Sequence, residues 1–222
     1  MNRIASRSAN LILLTIGLVL AVFQAHAADE AEPGEGAPWN WSFMVGAATW
    51  SDLANLQSAS GGQFNSLGFA LELAGHKKVS QWGSAEVLLG ADFGLFTTAS
   101  DVAGLSEEFT QRGLYLTPSI KLRYGERSRR YLNLEAGLGW YGTDFAELAC
   151  DSGGSLCTEL RDPFDSNTVG GYVGISGGFG RWFVAGLKVH YADFGPVTGI
   201  SSLSGELKGP IYIFSLGAVF GG

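Results

Sequence analysis

The chain has 222 residues, including 33 glycines and 6 prolines, with 14 basic residues against 21 acidic ones. This length suits one all-β domain without forcing a second. A charged fraction of 16% and glycines without a three-residue period exclude a disordered or a collagen-like chain, and the acidic balance argues against nucleic acid, which rewards basic patches.

Residues 1–27 read as a cleavable signal peptide. Arg3 and Arg7 make the positive start, residues 11–23 (LILLTIGLVLAVF) form an uncharged apolar core, and Ala25-His26-Ala27 supplies the small-x-small cleavage pattern. The core is shorter than the about 20 residues a spanning helix needs, so cleavage is expected over a retained anchor. Its removal leaves 12 basic against 21 acidic residues, a net charge of −9. That balance also argues against electrostatic docking onto an anionic membrane surface. Residues 28–38 (ADEAEPGEGAP) are acidic and without periodicity, and are expected to form a flexible lead-in before a domain spanning 39–222.

Alternating residues point to opposite faces of a strand, and this pattern recurs along the rest of the chain. Strand one is expected over 39–50, with Trp39, Trp41, Phe43 and Val45 on one face. Strand two, 64–75, turns Leu67, Phe69, Leu71 and Leu73 out and Gly68, Ala70, Glu72 and Ala74 in, before a basic turn at 76–81. Strand three, 82–96, sets Val87, Leu89, Phe93 and Leu95 against Glu86, Leu88, Gly90, Asp92 and Gly94. After a loop at 97–111, strand four, 112–124, has Leu114, Leu116, Pro118, Ile120 and Leu122 out, with Tyr115, Thr117, Ser119, Lys121 and Arg123 in. Pro118 removes one ladder donor, which predicts a bulge or a missing hydrogen bond. A turn at 125–130 leads to strand five, 131–142, with Leu132, Leu134, Leu138 and Trp140 out and Asn133, Glu135, Gly137, Gly139 and Tyr141 in.

The longest loop, 143–167, carries Cys150 and Cys157 around DSGGSL and six acidic residues. In an exported chain a disulfide between the two cysteines is expected, since no histidine nearby could complete a metal site. Solvated charge is the default for the acids, with divalent-cation binding against lipopolysaccharide as the alternative. Strand six is expected over 168–179 and strand seven over 182–193, the latter placing Val184, Gly186, Lys188 and His190 on the inner face. A loop at 194–208 returns to the closing strand at 209–222, where Tyr212, Phe214, Leu216, Ala218 and Phe220 share one face.

Eight strands of about 11 to 14 residues match what a tilted bilayer-spanning strand requires. Their connections alternate long and short, as in barrels with short periplasmic turns and longer external loops, which puts both chain ends in the periplasm. A soluble sandwich would not need apolar outward faces flanked by Trp and Tyr. The expected fold is therefore an all-β, eight-stranded antiparallel up-and-down transmembrane barrel of the bacterial outer membrane, closed by pairing of its last strand with its first.

By strand pattern and aromatic end, residues 39–222 resemble the small eight-stranded outer-membrane barrels, the family of the OmpA membrane domain, OmpX and OmpW. The resemblance implies that Tyr212, Phe214, Leu216 and Phe220 act as the signal read by the barrel assembly machinery, with Gly221-Gly222 a short overhang beyond a terminal girdle residue. It also implies contact with outer-membrane lipids and lipopolysaccharide, and loops open to extracellular or host ligands.

An eight-stranded barrel is just wide enough for side chains to fill it. Charges at membrane depth persist only where they turn inward and find partners. Glu72, Glu86, Asp92, Lys121, Arg123, Glu135, Lys188 and His190 are thus expected to form a lumen cluster, with Glu86 facing Lys121 and Glu135 beside Lys121 or Arg123. A salt-bridged plug is expected over a gated ion path. Catalytic, cofactor and metal sites are not expected. The spacing Gly137-x-Gly139-x-x-Gly142 matches a dinucleotide loop, but no helix pattern follows it. His190-Tyr191-Ala192-Asp193 looks like the His-x-Ser-Asn signature of lipid A deacylases, yet alanine stands where the serine nucleophile belongs. Asn40-Trp41-Ser42 fits a glycosylation sequon that a bacterial-type barrel would not use. The expected role is structural or adhesive. The alternative is OmpW-like passage of small hydrophobic molecules, for which inward Gly137, Gly139, Gly170, Gly174 and Gly178 leave room that tyrosine packing could equally fill.

Overall fold

The period-two alternation produces eight long strands among the residues that this computed structural model describes, which are 39–55, 57–58, 67–101, 107–150, 157–159, 165–180, 182–197 and 203–221. They are β1 (Trp39–Trp50), β2 (Leu67–Trp82), β3 (Ala85–Asp101), β4 (Glu107–Glu126), β5 (Arg130–Cys150), β6 (Asp165–Phe179), β7 (Phe183–Tyr191) and β8 (Pro210–Phe220). The expected signal peptide and lead-in lie outside the described residues.

Each strand pairs antiparallel with the next. The circle closes where β8 pairs with β1, from Trp41 opposite Phe220 to Trp50 opposite Ile211. The sheet is thus an eight-stranded barrel without a free edge. Pro118 keeps its place opposite Ala91 on the β3 side. On the β5 side the ladder passes from Leu116–Trp140 to Ser119–Gly137, skipping Thr117 and Pro118 without a change of register. The missing donor interrupts the pairing, and no bulge forms there. A bulge occurs instead in β2, where the register to β3 shifts between Lys78 and Ser80.

The strands run further than their apolar stretches. The expected basic turn at 76–81 is strand, because His76 and Lys77 continue the alternation in and out. The turn falls at Gly83-Ser84, where Gly83 takes φ 61°, a left-handed conformation that glycine adopts freely. At the other end β3, β4 and β5 continue as paired ladders through much of the expected loops at 97–111 and 143–167. The short strand Cys157–Glu159 pairs back onto the end of β5, with Cys150 opposite Cys157. Two further short ladders join Gln57–Ser58 to Leu203–Ser204 and Gly195–Pro196 to Glu206–Leu207. The first and last long connections are thereby tied to each other over the mouth at their end.

The outer surface is apolar on all eight strands: Val45, Leu73, Phe93, Leu116, Leu134, Val173, Leu187 and Phe214 all stand exposed. Trp39, Trp82, Tyr124, Phe179, Trp182 and Phe183 ring the short-turn end, and Trp140, Tyr191 and Tyr212 lie toward the other. Water does not tolerate an apolar band of this extent on a monomer. Lipid does, and a closed sheet exposes no edge of unpaired backbone groups to it.

Depth in such a band sets the cost of charge. Phe214→Arg, at mid-height and 55% exposed, is expected to destabilise the vesicle-embedded barrel by about 2–4 kcal/mol, against about 0–1 kcal/mol for Trp182→Arg at the short-turn rim. Urea unfolding in lipid vesicles measures both, and equal costs would contradict the lipid-facing assignment.

Candidate functional site in the barrel interior

The bore of the barrel is filled by rings that lie across glycines. Four aromatic side chains sit directly opposite a glycine of the adjacent strand: Tyr115 opposite Gly94, Phe96 opposite Gly113, Tyr172 opposite Gly137 and Tyr131 opposite Gly178. A Cβ at any of these glycines would meet the facing ring. Gly137 and Gly139 of the GxGxxG spacing are therefore strand positions. Gly137 makes room for Tyr172, and Gly139 lies against the β4 backbone at Leu116 and Thr117. Of the five inward glycines, Gly137 and Gly178 accommodate tyrosine rings directly, and Gly174 lies against Lys188.

At mid-height, five charged side chains from five strands meet. Lys188 Nζ on β7 bonds both carboxylate oxygens of Glu72 on β2, each at 2.7 Å. It also stands 3.7 Å from Asp92 Oδ1 on β3 and 3.5 Å from Glu135 Oε2 on β5. Lys121 Nζ on β4 lies 3.2 Å from Glu135 Oε2 and 3.7 Å from Asp92 Oδ1. Three carboxylates share two ammonium groups, and hydroxyls take up further oxygens. Tyr115 donates to Glu72 at 2.6 Å, Tyr172 to Asp92 and Ser176 to Glu135. All five charged residues are at most 5% exposed. Lys188 also stands over the Tyr172 ring, 4.4 Å from its centroid, adding a cation–π contact.

His190 lies above Lys188 on the same face, 1% exposed. Its Nδ1 is 2.9 Å from the Tyr141 hydroxyl, and Tyr115 and Tyr172 pack on its ring at 4.6 and 5.0 Å. The residue two positions on, Ala192, is fully buried and has no hydroxyl to activate. Among the described residues, no group of three His, Cys, Asp or Glu is placed to hold a metal ion.

Glu86 and Arg123 do not join this cluster. The β3–β4 register sets Glu86 opposite Arg123 and Leu88 opposite Lys121, so the expected Glu86–Lys121 pair does not form. Glu86 sits lower, with its side chain one-third exposed, and pairs with Lys78 at 2.8 Å and with Arg123 at 3.9 Å. His76 belongs to the interior, although the sequence pattern assigned it to a turn. Its Nε2 is 2.8 Å from Ser119 Oγ and 3.9 Å from Asp92. One more step of the β2 alternation beyond Ala74 would have placed it there.

The mouth at the long-connection end is apolar. Trp50, Leu53, Phe96, Phe194, Val197, Leu207 and Ile211 form one buried cluster. Trp50 packs on Phe96 and Phe194 at 5.9 and 5.5 Å and donates its indole N–H to the Lys208 carbonyl. On β8, Tyr212, Phe214 and Leu216 face outward and exposed, but Phe220 is only 8% exposed. The expectation of a lipid-exposed girdle ring at Phe220 does not hold; Trp39 and Trp41, stacked at 5.8 Å on the adjoining β1, present the aromatic surface at that rim. The side chains of Cys150 and Cys157 lie outside the described residues.

No protein-family model and no curated protein sequence matches this chain. Among solved structures it is similar to Ail, the attachment invasion locus protein of Yersinia pestis, at 13% identity and TM-score 0.46 over 84% of this chain and 100% of that one. It is also similar to the outer membrane protein OprG of Pseudomonas aeruginosa, at 12% identity and TM-score 0.45 over 84% and 97%. A third is Neisserial surface protein A, at 16% identity and TM-score 0.40 over 83% and 98%. All three are small eight-stranded outer-membrane β-barrels.

Breaking a buried charge network leaves uncompensated charge behind. Lys188→Met is expected to cost about 3–5 kcal/mol of folding stability, whereas Lys78→Met, which breaks a part-exposed pair, should cost about 0–1 kcal/mol. Urea titrations followed by tryptophan fluorescence compare the two, and similar costs would count against a load-carrying network at Lys188.

Proposed function

We propose that this chain spans the bacterial outer membrane as a barrel with a closed lumen, its termini on the periplasmic side. Its activity lies in the surface that its long connections present to lipopolysaccharide or to extracellular and host partners. The observation that carries this reading is the interior: among the described residues, a buried mid-height ion network and a buried apolar cluster at the long-connection mouth fill the bore. The apolar outer band supports the membrane assignment. The exposed stripe of Tyr212, Phe214 and Leu216 supports a role for β8 as the segment the assembly machinery reads. The register setting Cys150 opposite Cys157 supports a disulfide stapling the third connection.

Passage of small hydrophobic molecules would require Trp50, Leu53 and Phe194 to leave the mouth in which they are buried. A deacylase-like role would require a nucleophile beside His190, where Ala192 stands. The closed-lumen reading accounts for both positions as packing.

Conductance separates a plug from a path. In planar bilayers the refolded protein is expected to give no steady large openings. Stable channels of reproducible size would overturn the closed-lumen reading.

A further inference from the structure

Granted the membrane-spanning reading above, we propose that the short-turn rim of the barrel binds anionic phospholipids, with Lys77 on β2 and Arg130 on β5 each holding a headgroup phosphate. Strand parity turns both residues outward. Lys77 stands opposite Trp39 on β1 and Leu89 on β3, both exposed on the apolar band. Arg130 stands opposite Phe179 on β6, also exposed, with its guanidinium 5.7 Å from the centroid of that ring. A cation on a lipid-facing strand is tolerated near an interface, where its stem covers apolar surface and its head reaches polar groups.

The protein's own carboxylates are engaged elsewhere. Among the described residues neither Lys77 nor Arg130 takes part in an ion pair. Glu126, opposite Arg130 in the β4–β5 hairpin, lies 3.7 Å from Arg129, and Glu86 pairs with the inward Lys78. The net charge of −9 would repel an anionic lipid only if it were spread evenly, because screening limits each charge to a reach of about 8 Å. It is segregated instead. The turn before β5 carries Arg127, Arg129 and Arg130 against Glu126, whereas Glu107, Glu108 and Asp144 lie at the opposite end of the same two strands.

The surroundings favour a lipid over a free anion. Trp39, Trp82, Tyr124 and Trp182 stand exposed at this rim, and such rings settle at the headgroup level of a bilayer. A phospholipid there lays its acyl chains on Leu89 and Phe179 while its phosphate meets the cation. The guanidinium fork of Arg130 matches paired phosphate oxygens, and the Lys77 ammonium acts as a point charge.

Native mass spectrometry in a non-ionic detergent counts bound lipids directly. Phosphatidylglycerol and phosphatidylcholine with the same acyl chains are titrated in parallel. The mature chain is used whole, so the acidic residues of 28–38 are present as competitors. Two phosphatidylglycerol molecules are expected to bind about fivefold more tightly than phosphatidylcholine, the contribution of one cation near a headgroup. Lys77→Gln and Arg130→Gln should each remove one of these tighter events and the double variant both. Lys208→Gln, on the last long connection, should remove neither. The heat-dependent shift in electrophoretic mobility of a folded barrel checks each variant before titration. Equal Kd values for the two lipids, or a preference unchanged in the double variant, would overturn the proposal and leave the membrane assignment standing. Failure to retain either lipid would overturn both.

Discussion

Every feature of this molecule depends on the pairing of β8 with β1. Lipid offers a strand no hydrogen-bond partner, so an apolar-coated sheet is viable only if its two edges meet. Ten consecutive residue pairs, from Trp41–Phe220 to Trp50–Ile211, make that seam. Closing at eight strands then fixes a bore that side chains must fill. The rings of Tyr115, Phe96, Tyr172 and Tyr131 meet this demand only because a glycine faces each of them. The glycines at 94, 113, 137 and 178 are thus a consequence of closure at this strand number.

The same narrow bore explains the charges. Glu72, Asp92, Lys121, Glu135 and Lys188 come from five different strands, yet side-chain length is enough to bring them together across the lumen. Their Coulomb attraction acts in a medium poor in water, where a lost partner is expensive. Tyrosine and serine hydroxyls take up the remaining carboxylate oxygens, so the network locks strands that are far apart in sequence, such as β2 and β7. Toward the short turns the arrangement differs: Arg123 is held by the Asn133 and Asn40 amide oxygens and by Glu86 at 3.9 Å, and Arg127 donates to Asn40 and to the Gly221 carbonyl. The lumen therefore differs along its length, with a dense ion network at mid-height and arginines held by amide oxygens toward the short turns.

Much of this was legible in the sequence, because a period-two pattern states which face each residue takes. All eight strands and the inward direction of Glu72, Asp92, Lys121, Glu135, Lys188 and His190 follow from parity, and the closing pair from the need to leave no sheet edge in lipid. Depth does not. Whether Glu86 meets Lys121 or Arg123 depends on the β3–β4 register, and that register is a property of the assembled sheet. His76 was assigned to a turn because His-Lys-Lys looks polar, whereas backbone pairing is indifferent to polarity and carried β2 on to Trp82. For the same reason β4 and β5 run well past the lipid-facing band. Phe220 keeps the outward parity of β8 but is covered at the rim, which parity cannot show. Tyr115 is inward by pattern, but which carboxylate its hydroxyl reaches depends on which strands face each other across the bore.

The alternation along the closing strand carries the central claim, that one face of this sheet meets lipid and the other a packed interior. Single cysteines at positions 211 to 219, spin-labelled after Cys150 and Cys157 are replaced by serine, report it directly through collision with oxygen and with a water-soluble nickel chelate in bilayers. Labels at 212, 214 and 216 should collide freely with oxygen and little with the chelate, and labels at 211, 213 and 215 should be shielded from both. A profile without alternation, or chelate access along the outward set, would contradict the account.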